Sequence, residues 1–220
     1  MHPIIRLIAS LGLLLSLNVQ ADGGDAALAQ GIQSLQAEWA LAKYRTPEAQ
    51  QDSAFEALTR QAETLRAAYP ERAEPLIWQA IIESTHAGVV GGLGALSKVK
   101  HARGLLEQAE KLDAGAMQGS VYTSLGSLYY QVPGWPLGFG DDAKAEAYLK
   151  KALALNPDGI DPNYFYGDFL RNQDRYPDAA VYLQKALEAP RRPNRAVADE
   201  GRRDEASRAL SEVRTHLVRN

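Results

Sequence analysis

The chain has 220 residues, 45% of them hydrophobic and 23% charged, which suffices for one packed domain and excludes a disordered polymer. Its formal charge is −3, and setting aside residues 1–21, whose only charge is Arg6, leaves 23 basic against 27 acidic residues, or −4. That mild acidity lacks the basic footprint of a nucleic-acid binder, and a sequence with no cysteine forms no disulfide, thiolate metal site or cysteine-linked lipid.

The first segment reads as an export signal. Arg6 precedes an apolar run through Leu17, and Val19-Gln20-Ala21 offers small residues for cleavage after Ala21. The run is too short for a comfortable transmembrane helix, so no stable membrane insertion is expected after cleavage. An uncleaved anchor is the alternative. The expected location is periplasmic or secreted, with residues 22–220 forming one helical domain.

Beyond the signal, apolar residues recur at helical spacing with no sustained strand-like alternation, so the chain reads as all-α. A first helix is predicted from about Asp25 to Tyr44, with Leu28, Ile32, Leu35 and Trp39 on one stripe. Thr46-Pro47-Glu48 is a start signal, a capping residue followed by Pro at the first helical position. The second helix carries Phe55, Leu58, Ala62 and Leu65 and stops at Pro70. A third, about Ala73 to Ala87, carries Trp78, Ile81 and Thr85, and its partner carries Ala102, Leu106 and Ala109.

Two better-formed copies follow, over residues 116–155 and 160–189. In the first, Tyr122, Leu125, Gly126 and Tyr129 fall at intervals of three, one and three, followed by Ala145, Leu149, Ala152 and Pro157. The set returns as Tyr166, Gly167 and Leu170, then Ala179, Leu183 and Ala186. A small residue on one helix lets its partner approach, while Leu and Tyr fill the seam. Such a unit cannot bury its apolar face alone and stacks on its neighbours. The last helix, over 196–218, bears Ala206, Leu210, Val213 and Leu217 on one stripe, with Arg202, Arg203, Arg208 and Arg214 elsewhere, and reads as a polar-faced cap.

Two insertions interrupt this pattern, Gly88 to Gly94 and Gln131 to Gly140. Both are predicted as apolar, Gly-rich loops at the same edge. Pro133, Trp135 and Phe139 form either a packed plug or a lid over a ligand. Asp141-Asp142 reads as a helix cap. Pro190 to Arg195 is a rigid basic link, expected to pair with acidic turns of the preceding repeat, with a grip on an anionic partner as the alternative. Residues offset from the seam define an expected binding groove: Gln79, Glu83 and His86 on one helix, Thr123, Ser127 and Tyr130 on the next, then Tyr164, Asp168 and Arg171.

Nothing in the sequence announces catalysis. The four histidines show no metal-ligand pairing, and Gly-x-Ser-x-Gly, His-Glu-x-x-His and phosphate-binding Gly-Lys-Ser/Thr patterns are absent, so no catalytic residue, metal or cofactor is assigned.

The paired spacing resembles the tetratricopeptide repeat over roughly Leu76 to Ala189, which implies an α-solenoid of about four helix pairs plus a C-terminal capping helix. Leu125-Gly126-Ser127-Leu128-Tyr129-Tyr130, the long loop, and Gly140-Asp141-Asp142 with Ala145, Leu149 and Ala152 are similar, more narrowly, to the TatT-type periplasmic components associated with TRAP transporters. That likeness implies a non-catalytic periplasmic protein, with a homo-oligomer among its options and a cavity for an apolar ligand. The chain lacks the lipoprotein cysteine common in such proteins. Two readings follow: a scaffold that binds a protein partner in the envelope, or a carrier of a small apolar ligand.

Overall fold

Where the sequence carries prolines and capping residues, the helices begin and end. The computed structural model describes residues 15–219. Nine helices occupy them: α1 (Leu15–Tyr44), α2 (Glu48–Ala68), α3 (Ala73–Val90), α4 (Gly92–Asp113), α5 (Ala116–Gln131), α6 (Asp142–Leu155), α7 (Ile160–Asn172), α8 (Tyr176–Glu188) and α9 (Ala196–Arg219). The fold is all-α among the described residues. Asp141 caps α6, its Oδ1 accepting a hydrogen bond from the Lys144 amide at 3.0 Å. α6 gives way at Asn156-Pro157, and α8 starts with Pro177 in its first turn.

Several expected boundaries are corrected. α1 spans Leu15–Tyr44 rather than starting near Asp25, and runs through Gly23-Gly24; from Gly23 onward its first buried residue is Leu28. Residues 1–14, most of the expected export signal, lie outside the described residues. Thr46 is not a cap: its hydroxyl donates back to the Leu41 carbonyl at 3.2 Å, and Pro47 occupies the cap position of α2. The Gly88 to Gly94 segment is not a loop. α3 continues to Val90 and α4 starts at Gly92, so the turn is made at Gly91 and Gly92, at φ 64° and 59°. Apolar residues there extend the helices, and a glycine with positive φ ends α3 at little steric cost.

Short connections make consecutive helices antiparallel neighbours, and α3/α4, α5/α6 and α7/α8 are the most extensive pairings. In the last two pairs the seam closes on glycine. A Cβ on Gly126 would lie 2.6 Å from Leu149 Cγ, and one on Gly167 would lie 2.8 Å from Leu183 Cγ. Ala145, Leu149, Ala152, Ala179, Leu183 and Ala186 are all buried, as their spacing requires.

The odd-numbered helices also touch one another: α1 with α3, α3 with α5, α5 with α7, and α7 with α9. α9 then packs on α1 as well as on α7 and α8, so this inner succession returns on itself. The expected cap is therefore corrected to a closing element. Its Ala206, Leu210 and Val213 are buried along the stripe, while Ala198 joins a second core cluster with Leu28, Trp39 and Phe55. A helix sealed on two sides cannot present only a polar outer face. Leu217, at the far end of the expected stripe, is exposed.

Candidate functional site: a central cavity with a charged end

The succession of odd helices surrounds a cavity of about 950 Å³. Its apolar wall comes from Trp39 of α1, Phe55 of α2, Trp78 and Ile81 of α3, Met117 of α5 and Phe165 of α7. Trp39 Nε1 donates to Thr85 Oγ1 at 2.9 Å, which leaves the indole face toward the interior with its polar atom satisfied. On α5 the spacing of Ser120, Thr123, Ser124 and Ser127 puts small hydroxyl residues on one face. Large side chains at those positions would fill the space, so this short-residue face creates the volume. Ser120 and Ser127 donate to the carbonyls of Met117 and Ser124, at 2.8 and 2.9 Å, which mutes their polarity.

The start of α5 is unusual in its backbone. Met117 and Gln118 hold φ of 52° and 58°, followed by Gly119 at 75°, a left-handed turn placed against the cavity. Non-glycine residues there are disfavoured and persist only where surrounding structure enforces them.

One end of the cavity carries buried charge. Lys43 Nζ is 2.9 Å from Glu205 Oε1, Arg202 Nε donates to Asp161 Oδ1 at 2.8 Å, and Arg202 Nη1 donates to Glu205 Oε2 at 2.5 Å. Arg192 reaches Asp161 Oδ2 at 2.6 Å and Asp199 Oδ1 at 2.7 Å. The Arg202 guanidinium also lies over Tyr164 and Phe165, 4.5 and 4.6 Å from their ring centroids. α1, α7 and α9 are thereby joined through ions in addition to the apolar contacts of Ala198, Leu210 and Val213.

The electrostatics follow from this crowding. Burial alone would raise the Asp161 carboxyl, yet the Arg202 and Arg192 guanidiniums hold it well below its usual range. Glu205 is likewise opposed by burial and lowered by Arg202 and Lys43. Burial, followed by the Arg202 charge, depresses Lys43 against the pull of Glu205. Burial pushes the Tyr164 phenol up to about 12. Because the folded carboxylates are depressed, the stability they contribute is complete above the ordinary values, 3.8 for Asp161 and 4.5 for Glu205. It is lost as pH falls through their lower folded values. Asp161→Asn should therefore flatten the acid side of the stability curve. Urea midpoints between about pH 5 and pH 2 test this, and an acid slope equal to wild type would refute it.

The expected groove residues separate into three groups. Thr123, Ser127 and Tyr164 line the cavity. Gln79, Glu83 and His86 do not, and the groove expected on α3 is corrected: all three are buried on a face covered by α2 and α4. Arg66 Nε donates to Gln79 Oε1 at 2.7 Å, Gln79 Nε2 donates to Glu83 Oε1 at 2.7 Å, and His101 Nδ1 lies 2.6 Å from Glu83 Oε2. His86 Nε2 lies 2.7 Å from Asp52 Oδ1, and its ring stacks on Phe55. The cavity face of α3 is instead Trp78, Ile81, Ser84 and Thr85. Tyr130, Asp168 and Arg171 form a third group outside the cavity. Tyr130 donates to Asp168 Oδ2 at 2.7 Å, and Arg171 bridges Asp168 Oδ1 at 2.7 Å and Glu212 Oε2 at 2.8 Å.

Pro133, Trp135 and Phe139 do not cover the cavity, which corrects the expected lid. The Pro133 carbonyl accepts the Gly140 amide at 3.0 Å, pinching the loop shut on itself. Phe139 folds inward, edge-on to Tyr129 at 5.7 Å and beneath the Arg103 guanidinium at 4.4 Å. Trp135 stands at the tip, 89% exposed, beside Leu137 at 71%.

Sequence reasoning missed Ser120, Ser124, Trp39 and the α9 residues Arg202 and Glu205. The first two belong to a run of small residues at helical spacing that was legible beside Thr123 and Ser127. The α9 pair carried no signal, because its partners are Lys43 and Asp161, remote in sequence. The basic link behaves as expected at Arg192, which pairs with Asp161.

The described residues form an all-helical chain around a cavity that carries charge at one end. No protein-family model matches the chain, and no curated protein matches it. Among the described residues, no group of three or more His, Cys, Asp or Glu side chains could hold a metal ion, and no helix is long and apolar enough to cross a membrane.

Proposed function

We propose that this protein is a non-catalytic, tetratricopeptide-like α-solenoid that holds a small, largely apolar ligand in its central cavity. One observation carries the reading: aromatic and aliphatic side chains from α1, α2, α3, α5 and α7 converge on about 950 Å³, the size range of small-molecule pockets. The left-handed turn at Met117-Gln118 against that space supports it, since backbone strain clusters at ligand clamps. The resemblance to TatT-type periplasmic proteins agrees with it, and the N-terminal pattern over residues 1–21 supports export. In this reading the ligand is bound and passed on unchanged.

Native mass spectrometry of the full chain purified from cells should show a bound small molecule, and Ser124→Phe, which fills the cavity from α5, should abolish the bound mass while keeping the helical circular dichroism. A wild-type protein that is free of ligand and binds no apolar probe would overturn the carrier reading.

The scaffold reading moves from the groove to the loop tip, where Trp135 and Leu137 expose apolar surface unusual for single turns. If that tip docks an envelope protein, Trp135→Ala should abolish cross-links that wild type forms through the loop, with stability unchanged within about 0.5 kcal/mol. Cross-linked products that are identical in the variant would count against it.

A further inference from the structure

The charged end of the cavity is not internally balanced. Lys43, Arg192 and Arg202 each have carboxylate partners, namely Glu205, Asp161 and Asp199. Arg195, which follows them in the same link, has no ion-pair partner among the described residues, and its Nε is buried without a hydrogen bond. Its guanidinium carbon sits 5.2 Å from the centroid of the Trp78 ring. Trp78 Nε1 is likewise buried and unbonded. Both residues line the cavity.

Two buried donor atoms without acceptors, on residues packed against each other, are costly unless something supplies the acceptor. Each unmet buried donor costs roughly 1–3 kcal/mol, and more when charged. Burial and the like charge of Arg192 make the Arg195 cation less comfortable, lowering its pKa to about 10. An anion entering the cavity would relieve all three conditions at once.

We propose that Arg195 and Trp78 Nε1 form the head-group subsite of the cavity, and that its ligand is an organic carboxylate with an apolar body. The carboxylate accepts from the Arg195 guanidinium and from the Trp78 indole N–H. The apolar body lies along Ile81, Met117 and Phe165. The partly buried Arg195 cation matches one negative charge, while Arg191, the other lining cation without an ion pair among the described residues, is exposed to solvent. A dianionic head would meet the Asp161 and Asp199 carboxylates, which already occupy Arg192 and Arg202, and would be repelled. The cavity supplies affinity and the two donors supply orientation and selection, the division of labour usual in small-molecule sites. This assignment rests on the carrier reading and adds the chemical class of its ligand.

The test uses the full chain, delipidated, with octanoate, 1-octanol and acetate titrated by calorimetry. Wild type should bind octanoate roughly tenfold or more tightly than octanol, the scale of one charge-assisted hydrogen bond, and acetate only weakly. Arg195→Met should bring octanoate down to the octanol affinity while leaving octanol unchanged. Because Arg195 makes no ion pair among the described residues, and methionine keeps apolar contact with the Trp78 ring, this variant should melt close to wild type. Trp78→Phe, which keeps a ring and removes the N–H, should weaken octanoate several-fold and octanol little. Equal affinity for octanoate and octanol, unaltered by Arg195→Met, would overturn the anionic subsite and leave the apolar carrier standing. Binding of neither probe would sink both.

Discussion

Arg202→Met is expected to lower the stability of the folded chain by about 3–5 kcal/mol, the cost of breaking a buried ion pair by removing one partner. Arg202 is 5% exposed, donates to both Asp161 and Glu205, and spreads over Tyr164 and Phe165. Methionine keeps much of that packing but leaves two partly buried, depressed carboxylates with only Arg192 and Lys43 to compensate them. Arg45→Met is the matched control. Arg45 pairs with Glu200 across the same α1–α9 contact, but both side chains are more than half exposed, and an exposed pair contributes about 1 kcal/mol or less. Urea midpoints of the two variants measure the difference. Equal losses would mean that the buried cluster does not hold α9 to α1.

Gly126→Ala is expected to destabilise by about 1–3 kcal/mol, although the same change on an exposed helix would stabilise by about 0.8–1.0 kcal/mol through helix propensity. The sign reverses because the new Cβ would lie 2.6 Å from Leu149 Cγ, 2.8 Å from its Cδ2 and 3.2 Å from its backbone nitrogen. α5 and α6 would have to separate. Leu149→Ala alone should cost about 2–5 kcal/mol as a core truncation. Combined, the two should cost less than their sum by about 0.5–3 kcal/mol, since the shorter Leu149 side chain makes room for the methyl. Strict additivity in thermal or urea unfolding would show that the two residues are not in contact.

These two predictions draw on different kinds of information. The Gly126 seam was legible from residue spacing, because a small residue and a leucine recurring at helical intervals can only meet across a helix pair. The same logic found the buried stripes of α1, α2 and α8. It misjudged α3 in a specific way. Gln79, Glu83 and His86 do share one helical face, as their spacing of four and three requires. Which neighbour covers that face depends on Asp52 and Arg66 from α2 and His101 from α4, whose local patterns give no hint of the pairing. Across Gly88 to Gly94 the glycines signal a loop, whereas only Gly91 and Gly92 take positive φ and the rest continue the two helices. At Trp135 and Phe139 the composition pointed to ordered aromatics, but only the fold of the loop turned one inward and the other to solvent.

By itself the sequence determined the helices, their pairing and the stripes each one buries, because these depend on contacts a few residues apart or across one short turn. Closure was decided by the tertiary structure. α9 meets α1 across the whole length of the intervening chain, and no single segment carries that contact. Only after closure do Lys43, Asp161, Arg195 and Arg202 become neighbours, and only then do the short residues of α5 border a cavity. The proposed binding site is therefore a property of the completed circuit of helices.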